Sequence, residues 1–186
     1  ITVSGLPNKE YYMYLVDIPP AVDLQTNLRL GAGGVDSGAN YASRDSNNGL
    51  ADVARPSANE ILLTVNSVIN EFHVQYGYIS NLWGHEKTMT GYGMRGQEAV
   101  SNDNFRSQIA GKWSNLSPLD TINIHNAGTG SFPTSSELVV LAWSRFDPQL
   151  VNFWDLLGEA TAGGGETTLP TPIFAKKKYL WLNTQM

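Results

Sequence analysis

"EFHVQYGYI", residues 71–79, alternates residue by residue, with Phe72, Val74, Tyr76 and Tyr78 on one side and His73, Gln75, Gly77 and Ile79 on the other. A period of two is the mark of a strand, because successive side chains of an extended backbone point to opposite faces. On that basis Tyr76 and Tyr78 share a face, as core residues or as members of cross-strand pairs. Upstream, the same alternation recurs in "YYMYLVDI" (11–18) and "TNLRLG" (26–31), with "PPAVD" as the turn between them, and in "NEILLTVNSV" (59–68). Downstream it recurs in "KTMTGYGMRG" (87–96), "DTINIHNAG" (120–128), "ELVVLAWSRF" (137–146) and the closing "KKYLWLNT". Short strands separated by turn signals predict an all-β fold, an antiparallel β-sandwich. Two stretches read as long loops: 31–57, rich in Gly, Ser, Asn and Asp, and 97–105.

The chain has 186 residues and a mass of 20.3 kDa, enough for one domain plus an extension. Cysteine is absent, which removes disulfides, thiolate metal sites and cysteine nucleophiles. The net charge is −5 and no basic stripe appears, so no nucleic-acid partner is expected. Lys176, Lys177 and Lys178 read as a solvated strand entrance. The longest apolar run, "LVVLAW" at 138–143, is far short of the ~20 residues of a spanning helix, so no membrane partner is expected. No signal peptide is visible and the first residue is Ile, which suggests a processed chain or a piece of a longer one.

The expected organisation is a sandwich module over 1–146, a short helix over 147–158, a Gly/Pro-rich linker over 159–172 and a terminal segment, 173–186, that carries one more strand. In the helix Asp147 is the N-cap, Pro148 the first helical residue, and Leu150, Phe153, Trp154 and Leu157 recur at helical spacing before Gly158 ends it. The terminal strand repeats the first one. Laid over "SGLPNKEYYMYLVD", the closing "IFAKKKYLWLNTQM" places Lys177 on Lys9, Tyr179 on Tyr11, Trp181 on Met13 and Leu182 on Tyr14. The spacing is that of a whole sandwich plus a linker, so the chain reads as one repeat and the opening strand of the next. An unpaired alternating strand is an aggregation hazard. Lys177, Tyr179, Trp181 and Leu182 are therefore the expected assembly residues, adding to a sheet edge of a neighbouring subunit; the alternative is that the strand folds back onto an edge of its own domain.

Signals for chemistry are sparse. His85 and Glu86 adjoin in "WGHEK", but no second His follows at helical spacing. A metal-dependent hydrolase would need His73, His85 and His125 to converge. Asp36, Asp45 and Asp52 lie in the 31–57 stretch, where flexible oxygen ligands suit Ca²⁺, though without EF-hand spacing. Neither a phosphate loop nor a nucleophile elbow is present, and neither a catalytic residue, a bound metal nor a cofactor is expected. Aromatics cluster in the middle third, and Trp83 and Tyr92, with the 31–57 stretch, are the candidate glycan contacts of a carbohydrate-binding module.

Several segments share a pattern. "KEYYMYLVDIPPAVDLQTNLRLGAGGVDSGANYAS" is a strand entered after a lysine, a strand ending through Leu28 and Leu30, a Gly/Asp loop and the triplet Asn40-Tyr41-Ala42. "IAGKWSNLSPLDTINIHNAGTGSFPTSSELVVLAW" runs from Gly111-Lys112-Trp113 into Ile122 and Ile124, a turn with Gly128, Gly130 and Phe132, and a last apolar strand. "FWDLLGEATAGGG…FAKKKYLWL" resembles the lead-in to a further copy. Together they resemble a module of virion structural proteins of tailed phages and other aquatic viruses. "AWSRF" stands where those proteins carry a "YG"-like ending. The resemblance implies a jelly-roll or galectin-like sandwich, often in tandem, on the particle surface or tail as fibre, decoration or capsid-associated module. It implies no enzyme activity. The partners it implies are copies of itself in a homo-oligomer, other virion proteins, and a host surface glycan.

Overall fold

In the computed structural model, residues 1–65, 71–96 and 105–144 are described. They hold eleven strands: β1 (Thr2–Ser4), β2 (Tyr11–Ala21), β3 (Thr26–Gly31), β4 (Tyr41–Asn47), β5 (Val53–Ala58), β6 (Ile61–Leu62), β7 (Glu71–Ser80), β8 (Lys87–Gly96), β9 (Phe105–Trp113), β10 (Thr121–Asn126) and β11 (Glu137–Trp143). All pairings are antiparallel, in a four-stranded sheet of order β1-β10-β3-β6 and a seven-stranded sheet of order β11-β2-β7-β8-β9-β4-β5. The fold is an all-β antiparallel sandwich, and no helix occurs among the described residues. The chain divides into two compact units, Ile1–Pro148 and Gln149–Met186. The expected helix at 147–158, the linker and the terminal strand with Lys177, Tyr179, Trp181 and Leu182 lie outside the described residues.

Alternation builds the core. Tyr12, Tyr14, Val16 and Ile18 of β2 and Ile109 and Trp113 of β9 point inward, where they meet Leu28 and Leu30 of β3 and Ile122 and Ile124 of β10. Each such fully buried large apolar side chain contributes about 1.5–3 kcal/mol. The most confined ring is Tyr14, which stands in register with Gly77 on β7 and, one strand further, Gly91 on β8. A Cβ on Gly77 would come within 2.5 Å of the Tyr14 hydroxyl and one on Gly91 within 2.6 Å, so the ring needs both glycines beneath it.

Three expectations change. The turn expected at 19–23 is shorter, because β2 continues through Pro19 and Pro20 to Ala21. The ladder to β7 shifts register between Ile18 and Ala21, where prolines supply no N–H. Of the strand expected over 59–68, the described residues hold only Ile61–Leu62, after which Leu63 and Thr64 both donate their N–H to the Thr26 carbonyl; residues 66–68 lie outside the described residues. The largest correction concerns 31–57, which holds β4 and β5 rather than one long loop. They are joined by a tight hairpin turn in which Leu50 N–H donates to the Asn47 carbonyl at 2.9 Å. Its central residues, Asn48 and Gly49, have φ of 51° and 77°, the turn geometry that matches strand twist.

One end of the sandwich is braced by a buried lysine. Lys87 opens β8 with no exposed surface, and its ammonium donates to the carbonyls of Leu82 (3.0 Å), His85 (2.8 Å) and Leu116 (3.3 Å). Burial lowers its pKa from the ordinary lysine value. The lysine thereby ties the 81–86 turn to the 114–119 loop. Asn81 adds to the brace, donating to the Lys9 carbonyl and accepting from Leu119 N–H at 2.8 Å.

Candidate functional site

The registers of the larger sheet define its outer face row by row. One row runs Leu141, Met13, Tyr78, Thr90, Ala110, Arg44 across β11, β2, β7, β8, β9 and β4. The next runs Val139, Leu15, Tyr76, Tyr92, Gln108, Ser46 over the same strands. The face is thus apolar and aromatic over β11, β2 and β7, and polar over β9 and β4. Over β8, β9 and β4 lies a shallow open groove of about 290 Å³. Its walls include Tyr92, Thr90, Gln108, Arg44, Ser46 and Asp52.

Tyr92 stands on one side of the groove, 41% exposed. Tyr76, its direct partner on β7, stacks beside it with ring centroids 5.5 Å apart and planes inclined by 26°. The expectation for Tyr76 is met as a cross-strand pair on the outer face. Tyr78 follows on the same face, and burial, with Tyr76 nearby, pushes its hydroxyl pKa up to about 12. Across the groove Arg44 meets Asp52 at 3.6 Å, with both side chains largely exposed. The pair is loose enough to exchange its contact for a ligand's hydroxyls. Gln108 adds an amide that can donate and accept. Flat aromatic surface beside planar polar side chains suits a sugar ring, which presents C–H on one face and hydroxyls at its rim.

Tyr92 and part of the 31–57 stretch therefore meet, as the carbohydrate reading expected. Trp83 does not join them. It lies on the 81–86 turn, 75% exposed, and is not among the groove residues. Arg44 and Ser46 were covered only as members of the 31–57 stretch, not singled out, and Gln108 escaped the sequence reading. The signals were the Asn48-Gly49 dipeptide, which marks a hairpin, and the alternation in "YASRDSN" and "FRSQIAGKW" beneath a polar composition.

The loop carboxylates are dispersed. Asp36 accepts from Trp113 Nε1 at 2.8 Å, Gly38 N–H at 2.8 Å and Asn40 Nδ2 at 2.9 Å. Asp45 is buried and held by Arg55 Nε at 2.7 Å, while Asp52 faces Arg44. Asp45 points inward and Asp52 borders the outer groove, so the two cannot share an ion. The histidines are equally scattered. His73 is buried between the sheets with Nδ1 3.1 Å from Thr64 Oγ1. His125, on the outer face of the smaller sheet, meets Glu60 at 2.9 Å, and His85 sits exposed on the 81–86 turn. No cluster of three or more His, Asp or Glu side chains suited to a metal occurs among the described residues.

Compared with protein-family models, curated proteins and solved structures, the chain matches none. The groove must therefore be read from its own chemistry.

Proposed function

We propose that this chain is a non-enzymatic surface module that binds glycan in the outer groove of its larger sheet, and that it serves on the surface or tail of a virus particle. The glycan part is carried by one observation, the groove that sets the exposed Tyr92 ring opposite the Arg44–Asp52 pair. The virion setting is supported by the resemblance of the strand-and-turn segments described above. A glycan array followed by titration of the best-bound oligosaccharide tests the binding. Tyr92→Ala is expected to weaken it about tenfold, the worth of one stacked ring. Because Tyr92 is an outer-face residue whose main contact is the stack on Tyr76, the variant should lose only about 1–2 kcal/mol of stability and stay folded, so a loss of binding is read separately from unfolding. Full retention of binding in Tyr92→Ala would remove the groove from consideration.

A second reading, assembly through strand addition, is favoured by the position of β11. Among the described residues β11 is an edge strand, and its ladder partner is β2. The 177–182 segment repeats the opening of β2, so a neighbouring copy would offer β11 a strand of the kind it already pairs with. Light scattering of the whole chain is expected to show an oligomer that Trp181→Asp dissolves. A monomeric whole chain at high concentration would end the reading.

A further inference from the structure

We infer that the glycan held at Tyr92 is an extended, uncharged polysaccharide that runs along β8 from the groove to Trp83. The inference rests on the glycan reading above and names the ligand's length, direction and charge. From Tyr92 to Lys87 the strand rises about 17 Å, longer than one or two sugar rings, and Trp83 lies beyond that end. The outward residues on the way are Thr90 and Ala110, which still line the groove, and then Thr88 on β8 with Lys112 beside it on β9. The threonines give this stretch hydroxyls, and Lys112 rises beside Thr88. The exposed Tyr92 stands at one end, and the exposed Trp83 lies in the turn that leads into the other end of the strand.

Trp83 suits a ligand platform because its turn is fixed. Leu82 and His85, on either side of Trp83 and Gly84, both give their carbonyls to the buried Lys87 ammonium, and His85 N–H closes the turn on Leu82 at 3.3 Å. Gly84, with φ of 69°, supplies the conformation the turn needs. Binding at Trp83 then needs no ordering of the turn backbone, which removes one of the usual costs of binding on a loop. The charges beside the track are matched. Lys112 meets Glu86 at 2.8 Å, and Arg44 meets Asp52. A polyanion would find each flanking cation already opposed by a carboxylate, whereas neutral hydroxyls can bond to both partners.

The test is a titration of the whole chain with neutral gluco-, manno- and galacto-oligosaccharides, from monosaccharide to hexasaccharide, and with oligogalacturonates of equal length. Affinity is expected to rise with length in a neutral series. Trp83→Ala should erase roughly tenfold of that rise for the longest members and leave the shortest unchanged, while Tyr92→Ala weakens every length. If Trp83→Ala matches the parent at all lengths while Tyr92→Ala still weakens binding, the extended ligand is wrong and the groove reading stands. Tighter binding of the oligogalacturonates overturns the uncharged ligand. Unchanged binding by Tyr92→Ala removes the groove reading itself.

Discussion

Lys87→Met is expected to destabilise the sandwich by about 2–4 kcal/mol, the scale of losing hydrogen bonds from a charged donor to buried carbonyls. Methionine fills much of the same space but donates nothing, so the carbonyls of Leu82, His85 and Leu116 lose their shared donor. Each orphaned carbonyl that cannot reach water costs about 1–3 kcal/mol. The loss should appear as a fall of roughly ten degrees in melting temperature. Lys87→Arg should not rescue it, because the planar guanidinium cannot reproduce a compact three-pronged donor. A melting temperature within a degree or two of the parent would show that the lysine is not the brace between the 81–86 turn and the 114–119 loop.

Acid should weaken the fold through His73. This imidazole lies between the sheets, bonded to Thr64 Oγ1, which lies 2.5 Å from Thr26 Oγ1. Gln75 on the same strand also donates to Thr26 Oγ1. Burial, reinforced by the nearby Arg95 charge, pushes the His73 pKa down from 6.5 to about 4. Arg95 is itself paired with Glu71 at 2.9 Å and lies over the Phe105 ring at 4.4 Å. A depressed histidine pKa means that the unfolded chain binds the proton more tightly. Stability is therefore complete above about pH 6.5, falls as pH drops toward 4, and loses about 3 kcal/mol in all from this residue. About 2 kcal/mol of that falls between roughly pH 7 and pH 5, above the range where most carboxylates titrate. Denaturant unfolding at the two pH values measures it. His73→Gln should flatten the dependence in that window, whatever it does to stability at neutral pH. An equal slope in parent and variant would assign the acid sensitivity elsewhere.

The strands that alternate strongly were legible from the order of residues alone. In "KTMTGYGMRG" and "TNLRLG" the bounds read from the sequence are those of β8 and β3, because Met89, Gly91 and Gly93 in the one and Leu28 and Leu30 in the other mark an inward face with turn residues outside. β4 and β9 were not legible. Their inward residues include Ser43, Asp45, Ser107 and Gly111, polar or small groups that periodicity discounts. Asp45 enters the interior because Arg55 on the neighbouring β5 holds it, and Ser107 and Gly111 because residues from across the sandwich meet them. Ser107 donates to the Leu63 carbonyl at 2.7 Å, and Gly111 leaves room for Ile61. Neither partner can be seen from the local sequence.

The candidate site divides along the same line. Tyr92 and Trp83 stood out as aromatics flanked by turn and polar residues, but nothing local placed one on a sheet face and the other on a braced turn. The partners of Tyr92 come from distant parts of the chain: Tyr76 on β7, Gln108 on β9, Arg44 on β4 and Asp52 after the hairpin. Only the antiparallel registers carry them to one groove. By itself the sequence determined that the chain would be an antiparallel sandwich, because period-two burial is a local property of each strand. Which polar side chains face each other across the larger sheet was decided by tertiary structure, because register couples residues that the chain keeps far apart.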